Sequence, residues 1–202
     1  MWRLIARSLE MLVLPLVALL SVGGTIAEAK DLNPALLKGD YHFSRTRTCI
    51  RASGFDPGNE LALQSGGATT TDAAQGTSHY NGDGTGTLTG QLLTINHNMT
   101  ANGAKPVTQV DVTCDLTYAV HADDTFTEML TCTGLIIAGP GTGLTVTTTG
   151  IEHKGLFANG RTSFVFGSVN PNIETNTTLD GDTVIGVSKA ICSRSGTAVK
   201  IN

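Results

Sequence analysis

The chain of 202 residues has little charge and few aromatic side chains: charged residues make up 15% of it and aromatic residues 5%, with a single Trp. Lys and Glu, two good helix formers, are scarce, whereas Gly occurs 24 times and Thr 30 times. Because Gly and Thr are poor helix formers, this composition excludes a helical bundle or a coiled coil. Hydrophobic residues at 40% exclude an ordinary disordered chain, and a net charge of −4 argues against binding to nucleic acid.

Long hydrophobic runs are missing except near the N terminus. The unbroken apolar run 11–20 is about half as long as the roughly 20 residues that a membrane-spanning helix needs. Two arginines precede this run, and the small–Glu–small pattern of a cleavage site follows at 27–29. We therefore expect a signal peptide over 1–29, and a secreted or periplasmic mature chain, 30–202, that forms one domain without a transmembrane segment.

Cysteine is scarce as well, and all four cysteines lie in the part that is expected to be exported: Cys49, Cys114, Cys132 and Cys192. None forms a C-x-x-C pair, and no histidine lies at a zinc-like spacing from them. We therefore expect neither a metal site nor another cofactor. Because exported proteins meet an oxidising environment, the four cysteines predict two disulfides.

The rest of the chain consists of short runs rich in Thr, Val and Ile, separated by Gly, Asn, Asp and Pro, which is the pattern of an all-β protein. The predicted strands are 39–51, 70–80, 86–97, 107–121, 125–137, 143–154, 161–169 and 184–193, with a short tail strand at 198–201. The longest predicted loops are 53–67 and 170–182. Because no helical crossover intervenes, we expect an antiparallel, up-and-down β-barrel of about eight strands, with a β-sandwich as the alternative.

The positions of the cysteines on the predicted strands indicate how they pair. Along 107–121, the even-numbered residues are mostly apolar and the odd-numbered ones mostly polar, so Cys114 faces the interior. If 122–124 is a three-residue hairpin loop, Cys114 lies directly opposite Cys132. The remaining cysteines, Cys49 and Cys192, lie on the first and last main strands, and their pairing would close the barrel and remove its edges.

The same alternation places polar side chains inside the barrel. Glu128 is expected to point inward, opposite Tyr118. If Cys49 points inward, so do other residues of the first strand, namely Tyr41, Phe43, Arg45, Arg47 and Arg51. Because buried charges must be paired or bind a ligand, this cluster is the best candidate for a functional site. Two alternatives stay open: the first strand is bulged or inverted and its arginines are solvated, or an internal Arg–Glu pair only fixes the register.

The known short motifs give little support for catalysis or metal binding. The run Asn81-Gly82-Asp83-Gly84-Thr85-Gly86 resembles the start of a calcium loop, but Leu92 stands where a bidentate Glu belongs, and a glycine-rich hairpin turn explains the run better. No G-x-S-x-G, H-E-x-x-H or S-x-x-K motif is present, so no catalytic residue is predicted. Asn98 and Asn176 begin glycosylation sequons, which matter only in a host that glycosylates.

Three features together resemble the calycin-type barrels of the lipocalins: Gly39-Asp40-Tyr41 opens the first strand, about eight antiparallel strands follow, and Arg194 closes the last. Lipocalins have Gly-x-Trp at the first strand, where this chain has Tyr41. The resemblance implies a small apolar or amphipathic ligand in the barrel. The chain is also similar in architecture to allene oxide cyclase and dirigent proteins, which implies isomerase-like or coupling chemistry.

These observations favour a binding protein over an enzyme. The first hypothesis is a secreted or periplasmic barrel that binds a small amphipathic or anionic ligand. Arg45 and Arg47 would meet the anionic group, Glu128 would orient them, and an aromatic wall would be formed by Tyr41, Phe43 and Tyr118. The second is a surface or structural protein that acts through a Thr-rich exterior. The third is a barrel enzyme of isomerase type in which buried Glu128 is the acid or base.

Overall fold

The computed structural model describes residues 33–56, 58–64, 67–98, 106–168 and 172–201. The predicted signal peptide, 1–29, lies outside these residues. Within the described ranges, no helix has the length and apolar character needed to cross a membrane.

Eleven β-strands and two short 3₁₀ turns, Pro34–Leu36 and Asn159–Arg161, make up the described structure. The strands are β1 (Lys38–Ala52), β2 (Phe55–Asp56), β3 (Asn59–Leu63), β4 (Ala68–Asn81), β5 (Thr85–Asn96), β6 (Val107–Val120), β7 (Thr125–Ala138), β8 (Thr145–Ala158), β9 (Ser163–Gly167), β10 (Ile173–Asp180) and β11 (Thr183–Lys200).

Nine of these strands form one closed antiparallel barrel. Each main strand pairs with the next along the chain, from β1 through β4, β5, β6 and β7 to β8, and β1 also pairs with β11. The short strands β9 and β10 share the place between β8 and β11, β10 pairing with one half of each and β9 with the other half. The expected up-and-down barrel with about eight strand positions is therefore confirmed, and the sandwich alternative is wrong. The pairing of β1 with β11 covers the edges that these two strands would otherwise expose.

The strand predictions were wrong at three places. The predicted loop 170–182 contains β10, the predicted loop 53–67 contains the small hairpin of β2 and β3, and the tail strand 198–201 is continuous with β11. Strand β10 escaped prediction because two of its inward residues, Glu174 and Asn176, are polar, so the usual apolar alternation is missing.

Both predicted disulfides are confirmed. Cys114 and Cys132 are opposed residues of β6 and β7, with Cα atoms 4.0 Å apart. Cys49 and Cys192 are opposed residues of β1 and β11, with Cα atoms 4.1 Å apart, and they connect the strands that close the barrel.

Aromatic residues fill one end of the barrel, which we call the aromatic end. Its inward side chains include Tyr41, Phe43, Tyr80, Tyr118, Phe126, Phe157, Phe164 and Phe166. The turn Pro34–Leu36 and the buried Leu37 lie against this end, where the Tyr118 hydroxyl donates a 2.7 Å hydrogen bond to the Leu37 carbonyl. Burial of each large apolar side chain contributes ~1.5–3 kcal/mol, so this layer is the main hydrophobic core.

The exterior carries a row of threonines. Six of them stand opposite one another on adjacent strands: Thr77, Thr89, Thr113, Thr133, Thr147 and Thr177. They are β-branched residues on a half-solvated pleated surface, which suits their propensity. The predicted glycine-rich turn joins β4 to β5, and its Gly82 and Gly84 have φ angles of 86° and 92°, which Gly adopts without strain.

Candidate functional site

The inward side chains of β1 change character along the strand. Tyr41 and Phe43 belong to the aromatic core, and Arg45, Arg47 and Arg51 follow on the same face towards the other end of the barrel. Arg45 and Arg47 are each only 6% exposed. The first strand is therefore neither inverted nor bulged outward, and its arginines face the interior as the parity of Cys49 predicted.

Two of the buried arginines are paired with carboxylates. Arg47 donates from Nε to Asp72, and its Nη1 lies 4.0 Å from Glu174 Oε2. Arg194 forms a two-pronged pair with Glu174, in which Nη2 donates to Oε2 at 2.6 Å. These groups come from four strands, β1, β4, β10 and β11, so the pairing fixes the relative positions of distant segments. Asp72 and Glu174 together balance the charges of Arg47 and Arg194.

Arg45 has no such partner. It makes no salt bridge or hydrogen bond with any residue that the structure describes, and its Nε is buried without a hydrogen-bond acceptor. Burial, together with the nearby Arg47 and Arg194, lowers the pKa of Arg45 to about 9, so the guanidinium still carries its charge at neutral pH. A buried cation without a counter-ion is unfavourable unless an anion joins it.

A cavity of about 250 Å³ lies against these arginines and opens at the end of the barrel opposite the aromatic end. We call this open end the mouth. Arg45, Arg47 and Arg51 line the cavity along β1. The facing strands, β5 to β8, contribute aliphatic side chains: Leu92, Val110, Val112, Ile136, Val146 and Ile151. The cavity therefore has one cationic wall and one aliphatic wall.

Hydroxyl and amide groups complete the lining. Thr148 on β8 donates a 2.9 Å hydrogen bond to the side-chain carbonyl of Asn176 on β10. The Nδ2 of Asn176 and the Oγ1 of Thr70 are buried without a hydrogen-bond partner among the residues that the structure describes, and both residues line the cavity. Because buried polar groups normally have partners, these atoms are further places where a bound molecule could make a hydrogen bond.

Glu128 belongs to a second polar cluster. It lies opposite Tyr118, as predicted. Its Oε2 accepts a 2.9 Å hydrogen bond from the Tyr80 hydroxyl, and its Oε1 lies 2.7 Å from Nδ1 of His153, which is 1% exposed. Burial lowers the pKa of His153, although Glu128 opposes this, and the shift favours the neutral ring with its Nδ1–H directed to Glu128. Burial also raises the pKa of Tyr80.

The structure divides the predicted site residues between these places. Arg45 and Arg47 line the cavity, whereas Tyr41, Phe43 and Tyr118 lie in the aromatic core. Aliphatic residues form the apolar wall instead. Glu128 forms hydrogen bonds with Tyr80 and His153 and does not orient the arginines. The reason is that alternation with period two predicts which face a side chain occupies but not its height along the barrel axis.

Sequence reasoning missed several of the residues that shape the site: Asp72, Tyr80, His153, Glu174 and Asn176. Asp72 and Tyr80 have the same parity as the inward Ala74 of β4, so alternation could have identified them. Arg194, which carries part of the resemblance to lipocalins, points inward to Glu174. It is Lys200 that lies over the Tyr41 ring, with Nζ 5.9 Å from the ring centre.

No family model, curated protein or solved structure matches the chain. In the described part of the chain, no group of three or more His, Cys, Asp or Glu side chains could hold a metal ion. The cavity therefore has to be interpreted from its own lining.

Proposed function

We propose that the protein is a secreted or periplasmic binding protein that holds a small amphipathic anion in the cavity at the mouth of the barrel. The observation that carries this proposal is Arg45, a buried guanidinium that lines the cavity and has no counter-ion among the described residues. A bound carboxylate or a similar oxyanion supplies that counter-ion and accepts charge-assisted hydrogen bonds.

Local charge supports an anionic ligand over a cationic or neutral one. Arg45 and Arg51 are each influenced by the positive charges of Arg47 and Arg194, and two carboxylates, Asp72 and Glu174, oppose these four guanidinium groups. The cluster therefore has an excess of positive charge. Glu128 is occupied by Tyr80 and His153 and does not line the cavity.

The opposite wall supports an apolar body for the same ligand. Six aliphatic side chains on β5 to β8 face the arginines of β1 across the cavity. Ligand pockets commonly combine such an apolar lining with a few polar groups that fix the orientation. A ligand with an anionic head and a hydrocarbon body satisfies both walls at once.

Export is the part of the proposal that rests on the N-terminal sequence and the cysteines. The segment 1–29 has the features of a cleavable signal peptide. The two disulfides fit an oxidising compartment such as the periplasm or the extracellular space.

The test is calorimetric titration of the purified protein with octanoate, an amphipathic anion, and with octanol, its uncharged counterpart. Wild type is expected to bind octanoate and to bind octanol more weakly. Arg45→Met keeps an unbranched apolar stem but removes the guanidinium, and it is expected to weaken octanoate binding at least ~10-fold, since hydrogen bonds to charged groups contribute ~1.5–3 kcal/mol.

The matched control is Lys154→Met, which removes one positive charge from an exposed position of β8. It is expected to leave octanoate affinity unchanged. Equal weakening by both substitutions would show that net charge, and not the cavity, drives binding. Octanoate binding that is insensitive to Arg45→Met would contradict the proposed role of Arg45.

A further inference from the structure

The amide of Asn176 is a second unsatisfied polar group in the cavity. Asn176 is 3% exposed and lines the cavity, and within the described part of the chain its Nδ2 has no hydrogen-bond partner. Its side-chain carbonyl is already occupied, because Thr148 donates to it at 2.9 Å. The amide is therefore held with its donor free.

The register of the strands places Asn176 away from Arg45. Arg47 reaches Glu174, with Nη1 and Oε2 4.0 Å apart, so these two residues lie at a similar height in the barrel. Arg45 is one inward position closer to the aromatic end than Arg47, and Asn176 is one inward position closer to the mouth than Glu174. Each inward step spans ~7 Å along a strand, so the two sites lie on the order of 10 Å apart.

We propose that Asn176 determines specificity by donating a hydrogen bond to a hydroxyl or carbonyl oxygen of the ligand that lies several carbons away from its anionic group. This inference rests on the proposed function and deepens it: the ligand class is an aliphatic acid that carries an oxygen far from its carboxylate. The carboxylate lies at Arg45, the hydrocarbon body lies along the wall of β5 to β8, and the distal oxygen lies at Asn176.

The strand pairing supports this assignment because the side chain of Asn176 faces the interior of the barrel. The inward parity of β10 is fixed by Glu174, whose carboxylate is buried with Arg194, and Asn176 is the next inward residue. The side chain of the sequon residue Asn176 therefore faces the interior, and an attached glycan would not fit in the folded barrel. An unpaired buried amide is unfavourable, and the cavity is the place from which an acceptor can reach it.

The experiment compares three probes by calorimetric titration: octanoate, octanoate hydroxylated at the carbon next to the carboxylate, and octanoate hydroxylated at the terminal carbon. We expect wild type to bind the terminally hydroxylated acid up to ~10-fold more tightly than octanoate, as one neutral hydrogen bond allows. Asn176→Leu is expected to abolish this preference, so that it binds the terminally hydroxylated acid no more tightly than octanoate.

A second variant is a control for misfolding of Asn176→Leu. Asn176→Leu leaves the Thr148 hydroxyl without its acceptor, so the double variant Thr148→Val/Asn176→Leu replaces both partners with apolar groups and is expected to fold and to lack the preference. Thr94→Val, which alters another hydroxyl in the lining, is expected to retain it.

The outcomes separate the two proposals. If wild type binds none of the three acids, the proposed function fails. If it binds all three equally, prefers the hydroxyl next to the carboxylate, or keeps its terminal preference in both Asn176 variants, then the role of Asn176 is wrong while the anion site stands.

Discussion

Arg45 combines burial, positive charge and the lack of a counter-ion among the described residues. Its neighbours on the same strand face, Phe43 and Arg47, are accommodated by the aromatic core and by Asp72 respectively. A purely structural residue in this place would be better apolar, because a buried unpaired charge is destabilising. The charge is therefore best explained by a ligand that compensates it.

This explanation predicts a trade-off between stability and binding at Arg45. Without ligand, Arg45→Met is expected to raise the free energy of unfolding by ~1 kcal/mol or more, because the removal of an unpaired buried charge outweighs the packing that is lost with the shorter side chain. Urea denaturation monitored by circular dichroism measures the change. Lys154→Met on the exterior is expected to change the stability by less than ~0.5 kcal/mol. A clear loss of stability in Arg45→Met would instead indicate that the guanidinium has structural partners.

At the same scale, the orientation of the arginines could be predicted from the sequence and their environment could not. An inward Cys49 predicted that Arg45 and Arg47 also face inward, with an inverted or bulged first strand as the alternative, and the structure has them inward. The partners Asp72 and Glu174 come from strands that are distant in sequence, and Glu174 lies on a strand that the pattern did not reveal. Local alternation carries no information about such long-range pairs.

At the scale of the strands, the C-terminal end of β8 was predicted too early in the chain. The predicted strand ended at residue 154, but β8 continues to Ala158 through the inward-facing Gly155. Glycine usually weakens a strand, but here it has a packing role: a Cβ at Gly155 would lie 2.0 Å from the Phe126 ring. The ring occupies the space that a side chain at this position would need.

Two glycine substitutions test this packing. Gly155→Ala is expected to lower the free energy of unfolding by ~1–3 kcal/mol, because the added methyl group overpacks the aromatic end. Gly186→Ala on β11, where an added Cβ meets nothing within 4 Å, is expected to be neutral or to stabilise by up to ~1 kcal/mol. Thermal or urea unfolding of both variants measures these changes in stability. If Gly155→Ala is as stable as Gly186→Ala, the Phe126 ring moves aside at no cost in free energy and the packing role of Gly155 is wrong.

Strand β10 shows the corresponding limit for a whole element. Glu174 and Asn176 face inward where an apolar residue was expected, so the segment was predicted to be a loop. Glu174 pairs with the buried Arg194, and Asn176 lines the cavity. The pattern therefore failed at the strand on which polar side chains replace the hydrophobic core, which is where functional sites commonly violate sequence rules.

As a whole, the molecule separates stability from proposed binding along the barrel axis. The aromatic end supplies most of the buried apolar side chains, and the disulfide Cys49–Cys192 connects the strands that close the barrel. The buried arginines, with Asp72 and Glu174, follow towards the mouth. Composition and strand spacing were sufficient to predict the all-β class, and the positions of the cysteines on the strands were sufficient to predict both disulfides and the closure. The layered arrangement could not be predicted, because it depends on the tilt and stagger of strands in the closed sheet.

A crystal structure of the protein with bound octanoate tests the central claim most directly. The expected result is a carboxylate in the cavity that accepts hydrogen bonds of about 2.8 Å from the Arg45 guanidinium, with the hydrocarbon chain against Val110, Val112 and Ile151. An octanoate that binds on the exterior, or that lies in the cavity without contact to Arg45, would contradict it.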